Sequence, residues 1–424
     1  MYVPLKRFRK TGAFSLLGAL LVCLIVAGVC VLGAPATRVS AATVCSVRNY
    51  GATGNGTTRD TTAIQNAINA CSGGGKTVEL TSGKYLSGPL TLPGNIIFQL
   101  DSGATLLASQ NASDYPATST GLAALITSSG TSNVTITGSG TIDGQGAPWW
   151  SIIKAEKAAN ETLSPRPPLI SFNSASNVTI EHITLKNAPN QHITLSKVNT
   201  ATITQITISS PSDSPNTDGI DVSASQYVHI TSSTIDDGDD DVAITASGST
   251  SSHDISVSSC TILHGHGLSI GSYTSGGVYN VSIHDNTLTN TSTGIRLKSA
   301  RDRGGEVTGV TYTHLTMTNV STPISLLEYY PKVPADGDPA QPITSTTPNF
   351  HGITISKVTA TGASNVGQII GLPERPMTGI TLSNVNISAK TGLEVRNATV
   401  STTSVTLTVT SGSTYILESN SHVS

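Results

Sequence analysis

A short strand-like motif returns along most of the chain and constrains the fold more than any other feature. The motif has the form Val-Thr-Ile, and its copies begin at Val134, Val178, Thr202, Val228, Ile255, Val281, Val310, Ile353 and Ile380. Successive copies start 44, 24, 26, 27, 26, 29, 43 and 27 residues apart, so the two long intervals are close to twice the others. A repeat of roughly 20–30 residues with one alternating strand per unit predicts a solenoid.

The repeat contains no segment with helical periodicity, which excludes leucine-rich and helical solenoids. We therefore predict an all-β fold, a parallel β-helix whose inward Val, Ile and Leu side chains stack one coil apart, at about 4.8 Å. A β-sandwich is the weaker alternative, because it needs antiparallel hairpins with two-residue turns, which are few here. Residues 329–349 contain five prolines and are predicted to be a surface excursion rather than a strand.

An amphipathic helix is predicted ahead of the strands. After Asp60, apolar residues recur at helical spacing from Ala63 to Cys71, and Gly73 to Gly75 end the pattern. Because a stack of strands leaves its first edge open, we expect this helix to be an N-terminal cap.

The first 41 residues have the pattern of a targeting segment. Four basic residues between Lys6 and Lys10 precede an apolar run from Ala13 to Leu32, and small residues follow. We predict a signal peptide over residues 1–41, with an uncleaved membrane anchor as the alternative. Residues 42–424 would then be a single exported β-helix domain, secreted or held at the cell surface.

Three cysteines remain in the predicted exported part. Cys45 and Cys71 can form a disulfide in an oxidising compartment, which leaves Cys260 as a buried thiol. The spacing matches no zinc motif, and a net charge of −3 gives no basic field for nucleic acid. We expect no metal, no cofactor, no protein partner and a monomer.

Four polar clusters stand out from the Thr/Ser/Val/Ile background. They are Asn216-Thr217-Asp218-Gly219, Gly238-Asp239-Asp240-Asp241, Gly265-His266-Gly267 and Arg296-Leu297-Lys298. The intervals from Asp218 to Asp239, Asp240 to His266 and His266 to Arg296 are 21, 26 and 30 residues, about one coil each. On adjacent coils these clusters would form one strip about 15 Å long.

The acidic run from Asp236 to Asp241 has two simpler interpretations, a solvated turn or a calcium-binding loop. Carboxylate and imidazole one coil to either side favour a functional site instead. Strict alternation would put Asp240 on the face opposite Asp239, so the chain must bend near Gly238 for both to share a cleft. His192, one coil before Asp218, is a further candidate for lining that cleft.

These motifs resemble the four signature motifs of polygalacturonases, glycoside hydrolase family 28. Tyr50-Gly51-Ala52, Gly88-Pro89-Leu90 and the segment from Ile142 to Gly146 are also similar to that family. The resemblance implies a right-handed parallel β-helix and inverting hydrolysis of α-1,4-galacturonosidic bonds in polygalacturonan. Two positions depart from the family pattern: Asp241 stands where Cys is usual, and Leu297 where Ile is usual.

The resemblance also implies residue roles. Asp239 would be the general acid, Asp218 and Asp240 would activate the attacking water, and His266 would position or tune the acid. Crowded carboxylates should raise the pKa of at least one of them. The substrate would be bound by Arg296, Lys298 and Tyr330, with His192 as the additional candidate.

Other functions remain open from the sequence. One is an exo-acting, rhamnogalacturonan or xylogalacturonan hydrolase of the same family, because residues 147–168 and 329–349 could close one end of the cleft. Another is a calcium-dependent lyase or an epimerase on the same fold. The third is a non-catalytic β-helical protein that binds carbohydrate at the cell surface.

Overall fold

The computed structural model describes residues 44–119 and 121–424, and the predicted leader lies outside them. Two α-helices occur in this part of the chain, α1 (Thr61–Ala70) and α2 (Ala147–Ala159), together with two short 3-10 helices, Val47–Tyr50 and Ala112–Asp114. None of the helices in these ranges has the length and apolar character needed to cross a membrane.

The remaining structure is almost entirely strand and turn. In its first half the strands are β1 (Val44–Ser46), β2 (Asn55–Arg59), β3 (Lys76–Leu80), β4 (Gly83–Ser87), β5 (Leu90–Thr91), β6 (Ile96–Leu100), β7 (Ala104–Ala108), β8 (Ala117–Thr118), β9 (Gly121–Leu122), β10 (Ile126–Ser129), β11 (Ser132–Thr137), β12 (Thr141–Asp143), β13 (Ile170–Asn173), β14 (Ser176–Glu181), β15 (Thr184–Lys186), β16 (Ile193–Ser196), β17 (Asn199–Thr204) and β18 (Thr207–Ser209).

In the second half the strands are β19 (Ile220–Ser223), β20 (Gln226–Thr231), β21 (Thr234–Asp237), β22 (Val242–Thr245), β23 (Ser252–Ser258), β24 (Thr261–His264), β25 (Leu268–Ile270), β26 (Val278–His284), β27 (Thr287–Thr289), β28 (Thr293–Lys298), β29 (Glu306–Thr318), β30 (Thr322–Leu327), β31 (Asn349–Ile370), β32 (Met377–Arg396), β33 (Ala398–Val409), β34 (Tyr415–Leu417) and β35 (Ser421–Val423). Apart from the antiparallel pair β8–β9, they join in one parallel sheet that winds into the predicted right-handed β-helix.

The repeat motifs lie side by side in register, as the solenoid prediction requires. Val134 pairs with Val178, Val228 with Ile255, and Ile353 with Ile380. Their apolar side chains point inward and are buried along the whole stack. Burying a Val, Ile or Leu contributes roughly 1.5–3 kcal/mol each, so the stacked rows hold the coils together.

The near-doubled intervals do not contain an extra coil. Val134 and Val178 are direct neighbours, as are Val310 and Ile353, so each long interval is one coil with an insertion. The first insertion includes α2. The second is the proline-rich segment between β30 and β31, which contains no strand, as predicted. Turns lie on the surface and accept insertions, so coil length varies while the register is kept.

Asparagines that precede the motif explain the sharp turns between strands. Asn95, Asn133 and Asn177 adopt φ angles of 56°, 56° and 53°, in the left-handed region that asparagine enters readily. Their side chains stack in a ladder, because Asn177 donates to Asn133 at 2.6 Å and Asn133 donates to Asn95 at 2.7 Å. Each coil therefore turns at the same place.

The N-terminal end matches its prediction. Helix α1 buries Ile64, Ala67 and Ile68 against the first coil. Cys45 and Cys71 form a disulfide with 6.0 Å between their Cα atoms, and Cys260 is a buried free thiol.

The second helix was not predicted. Helix α2 begins with Pro148 in its first turn and ends at Asn160 in a left-handed conformation. It buries Trp149, Trp150 and Ile153, so both tryptophans are structural rather than open to a sugar. Its apolar residues fall within an insertion, outside the repeat that guided the strand prediction.

Candidate active site

The four polar clusters meet on one face of the β-helix. Strands β19, β22, β25 and β28 are consecutive neighbours, with Ile220, Val242, Leu268 and Ile295 in register. Asp218 lies just before β19, Asp239 and Asp240 just before β22, and His266 just before β25, whereas Arg296 and Lys298 lie within β28. The structure thus brings the six residues together on four successive coils.

The backbone departs from strand geometry where the sequence required it. Strand β21 ends at Asp237 and β22 begins at Val242, so residues 238–241 form a turn that frees Asp239 and Asp240 from strict alternation. Gly238 packs directly on the preceding coil, and a Cβ atom there would lie 2.2 Å from the carbonyl oxygen of Ser214. Only glycine fits this approach without moving the backbone.

Asp239 is paired with His266 from the next coil. Nδ1 of His266 lies 3.0 Å from Oδ1 of Asp239, and Nδ2 of Asn216 lies 3.4 Å from Oδ2. Burial raises the pKa of Asp239, but the hydrogen bond and charge of His266 and the charges of Lys298 and Arg296 outweigh it. The net result is a pKa below the usual range for an aspartate.

Asp240 is the meeting point of the two predicted substrate cations. Only 3% of its surface is exposed, and its carboxylate accepts from Arg296 at 2.5 Å, Lys298 at 2.6 Å and Ser269 at 2.9 Å. The ring centre of Tyr330 lies 5.8 Å from the Arg296 guanidinium carbon and 5.2 Å from Nζ of Lys298. Tyr330 therefore flanks both cations.

Asp218 has a second acidic neighbour in Asp221. Burial, with the charge of Asp221 next in importance, raises the pKa of Asp218 well above the usual range. Burial and the charges of Asp240 and Asp239 raise the pKa of Asp221 to about 8, and a hydrogen bond to Asp218 partly opposes that rise. The two carboxyl groups are therefore able to share a proton at neutral pH.

His192 does not line the cleft, and that prediction was wrong. Its side chain is fully buried, with Nδ1 3.1 Å from the carbonyl oxygen of Asp218 and Nε2 3.0 Å from Oγ of Ser210. Burial lowers its pKa to about 4, so the ring is neutral. The register argument placed His192 on the correct coil, but it could not tell a side chain beneath the Asp218 backbone from one above it.

Asp241, which had no predicted role, is buried under the turn that carries His266. Its Oδ2 accepts the backbone N–H of Gly267 at 2.8 Å. A Cβ atom on Gly265 would lie 2.6 Å from Oδ2 of Asp241 and 2.9 Å from Oδ1 of Asp237, so both carboxyls pack on that glycine. Burial, and for Asp241 also the charge of Asp237, raises the pKa of each well above normal.

Arg166 is a site residue that the sequence did not reveal. It lies in the α2 insertion, is 8% exposed, and donates to the carbonyl oxygens of Pro189 and Pro215, both at 2.7 Å, and to Oδ1 of Asn216 at 2.9 Å. It therefore fixes the turn before Asp218. No repeat or motif includes it, so only its partners in space identify it.

One trio has the spacing of a metal site. Ligand atoms of Asp239, Asp240 and His266 lie within 4.8 Å of one another. However, Arg296 and Lys298 already neutralise Asp240, which opposes the binding of a further cation. The donor set fits an acid–base site better than a metal site.

Two cavities lie on either side of the acidic cluster along the β-helix. A groove of about 550 Å³ lies over β10, β13 and β16, towards the N-terminus. A second cavity of about 350 Å³ includes His266 and continues past Thr291 and Ser321, towards the C-terminus. The cluster therefore lies between two open cavities.

Several aspartates, a histidine and two cations that meet on one face of a β-helix, between two open cavities, define a class, the carbohydrate-cleaving enzymes that work by acid–base chemistry. The family model of glycosyl hydrolases family 28 matches residues 71–408. The chain belongs to this family and is a glycoside hydrolase.

Individual relatives agree with this assignment. The chain is 35% identical to an endo-polygalacturonase of Pectobacterium carotovorum subsp. carotovorum, over 80% of this chain and 87% of that one. It is 30% identical to an exopolygalacturonase of Zea mays, over 80% and 82%. The solved polygalacturonase from Erwinia carotovora ssp. carotovora has a TM-score of 0.70 and 32% identity, over 89% of this chain and 96% of that one.

Proposed function

We propose that this enzyme hydrolyses α-1,4-galacturonosidic bonds of polygalacturonan with inversion at the anomeric carbon. The observation that carries the proposal is the Asp239–His266 pair, flanked by Asp218 and Asp240 and faced by Arg296 and Lys298. The names of the relatives, polygalacturonases of bacterial and plant origin, support the same substrate.

In this proposal Asp239 protonates the leaving oxygen. Inversion also needs a base that activates water on the opposite side of the sugar ring, with the two carboxyls about 6.5–9.5 Å apart. Asp218, on the coil before Asp239, and Asp240, in the same turn as Asp239, are proposed to activate the water.

We propose that substrate binding raises the pKa of Asp239, so that this carboxyl group takes up a proton. In the free enzyme His266, Lys298 and Arg296 hold the pKa of Asp239 low. A galacturonate carboxylate that pairs with Lys298 and Arg296 in place of Asp240 adds a negative charge close to Asp239. The added charge raises the pKa of Asp239, so the acid becomes protonated where the bond is to be cleaved.

Binding of substrate also frees Asp240. Its two ion pairs occupy the cations in the free enzyme. In the free enzyme Arg296 donates to one oxygen of Asp240 and Lys298 to the other, and a uronate carboxylate offers the two cations the same pair of acceptors. The exchange releases Asp240 to accept a hydrogen bond from the attacking water.

We further propose internal cleavage, by an exported and monomeric enzyme with a single catalytic domain. Open cavities lie on both sides of the acidic cluster, which leaves room for a polymer to extend in both directions from the cleaved bond. Exo-action is the second candidate because of the Zea mays relative. Early products of mixed length from polygalacturonate support internal cleavage, whereas monomer or dimer alone contradicts it.

The test of the reaction is direct. Purified enzyme with polygalacturonate and a metal chelator should release reducing ends, and Asp239→Asn should lower that rate by about 10²–10⁴-fold while the circular dichroism spectrum is unchanged. Asp254→Asn is the matched control, because Asp254 is bonded to His253 and Asn280 on another face of the β-helix. Full activity of Asp239→Asn would contradict the acid role.

A further inference from the structure

The groove over β10, β13 and β16 differs in charge from the rest of the cleft. Its floor is built from two rows of small neutral side chains that are in register on three successive coils: Thr127, Ser171 and Thr194 in one row, and Ser129, Asn173 and Ser196 in the other. The three strands are two strand spacings apart, so each row is about 10 Å long.

The chemistry of the first row changes where the catalytic coils begin. The position in register after Thr194 is Asp221, and the same row reaches Arg296 three coils later. Substrate cations are therefore placed at one side of the acidic cluster, and uncharged hydrogen-bonding groups at the other.

Arg166 is the one charged residue among the described residues that line the groove. Its guanidinium already donates to Pro189, Pro215 and Asn216. Three donated hydrogen bonds thus hold it to the turn before Asp218, and with only 8% of its surface exposed it offers little to a carboxylate on the groove floor.

A free uronate carboxylate would be poorly placed in this groove. It would lose hydration without gaining a cation. An esterified carboxyl group avoids this cost, because it is uncharged and still accepts hydrogen bonds from Ser, Thr and Asn.

The groove wall suits the alkyl part of such an ester. Leu122, Ala123 and Ala124 line it, and Leu122 also borders an apolar cavity of about 260 Å³ formed with Trp149 and Ile153. Apolar surface of this kind gains from contact with a methyl group, at roughly 25 cal/mol for each Å² buried.

We propose that this groove binds galacturonan units whose carboxyl groups are esterified, while the coils with Arg296 and Lys298 require a free carboxylate. The inference rests on the proposed hydrolysis of galacturonan. It assigns opposite charge preferences to the two sides of the cleaved bond.

Sequencing of products from a randomly and partly methyl-esterified galacturonan tests the inference. Esters should occur on one side of the cleaved bonds at about their frequency in the polymer, and be depleted on the other side about tenfold, the cost of losing a charge-assisted hydrogen bond. Equal depletion on both sides would overturn the proposal.

A lysine placed on the groove floor should reverse the preference there. Ser171→Lys is expected to deplete esters on the permissive side about two- to fivefold, the range of an exposed ion pair. Thr179→Lys, on β14 of the same coil but on another face, is the matched control and should change nothing. An unchanged ester pattern in Ser171→Lys would show that the groove is not where those units bind.

A binding measurement separates this inference from the hydrolysis itself. If galacturonan yields no products, the proposed reaction is wrong. Calorimetric titration of the unaltered protein with esterified and unesterified oligogalacturonates then tests whether the groove binds esterified units. Esterification of part of the units should then change Kd by less than about threefold, and Ser171→Lys should tighten binding of the unesterified form alone. A loss of affinity with each added ester would contradict the inference.

Discussion

Nζ of Lys298 lies 2.6 Å from Oδ2 of Asp240, so a cation in one strand neutralises a carboxylate from the turn two coils before it. The pair has two consequences. It gives a nearly buried carboxylate a partner of opposite charge, and it keeps a cation in the cleft that a substrate carboxylate can take over.

Lys298→Met should weaken binding of galacturonate more than it alters the chemical step. Loss of a charge-assisted hydrogen bond corresponds to about 1.5–3 kcal/mol, so we expect kcat/KM to fall by about 10–100-fold, mainly through KM. Steady-state kinetics on polygalacturonate measure the change. Lys390→Met, an exposed lysine on a distant coil, should leave both constants unaltered. A fall in kcat with KM unchanged would argue against a binding role.

His266→Ala should move the pH profile. The hydrogen bond and charge of His266 lower the pKa of Asp239, so their removal raises that pKa. Because the proposed acid must be protonated, the alkaline limb of kcat/KM should shift to higher pH, while the maximal rate falls by about tenfold or more. A shift of that limb to lower pH would contradict the assignment of Asp239 as the acid.

The repeat in the sequence was enough to predict the fold and the coils on which the site residues lie. Val134, Val178 and the later copies of the motif set the register, because a slip of one residue would turn the apolar rows outward. Once the register was set, Asp218, Asp239 and His266 had to lie on adjacent coils. The Cys45–Cys71 disulfide was a possibility from the sequence, because both cysteines flank the N-terminal region, and the structure contains it.

Features that depend on depth or on insertions were not predictable. Register places His192 and Asp241 on the correct coils. Whether their side chains face the cleft or the interior depends on the backbone geometry of the turns, which the alternation of strand residues does not describe, and both are buried. Arg166 lies in an insertion, where no repeat relates sequence position to space. Its role follows only from the three acceptors around it.

Arg166→Ala should lower both the stability of the protein and its rate of hydrolysis. The substitution leaves the carbonyl oxygens of Pro189 and Pro215 without their donor and loosens the turn before Asp218, for an expected loss of about 2–3 kcal/mol in the free energy of unfolding. Urea denaturation measures this loss. Arg59→Ala removes a largely exposed arginine paired with Asp114 and should cost less than about 1 kcal/mol. Equal effects of the two substitutions would contradict the anchoring role.

Asp241→Asn should make stability less dependent on pH. The pKa of Asp241 is raised in the folded protein, so its contribution to stability is fully present below the unfolded value and is lost as pH rises through the folded one. Asparagine resembles the protonated form at every pH and keeps an acceptor for Gly267. We expect Tm to be unchanged near pH 4 and at least about 2 °C higher at pH 8.

Thermal unfolding at several pH values tests this expectation. Asp254→Asn is the control, since hydrogen bonds from His253 and Asn280 lower the pKa of that exposed carboxyl, and its replacement should give no gain at pH 8. A lower Tm of Asp241→Asn at pH 8 would show that the buried carboxyl is ionised and stabilising.

The stereochemistry of the first product decides whether the enzyme inverts the anomeric carbon. Proton NMR of polygalacturonate during the first minutes of cleavage reports the anomer released before mutarotation. Inversion by Asp239 with water activated at Asp218 and Asp240 predicts that the β-anomer forms first from the α-linked chain. Initial release of the α-anomer, or of an unsaturated product, would contradict the account.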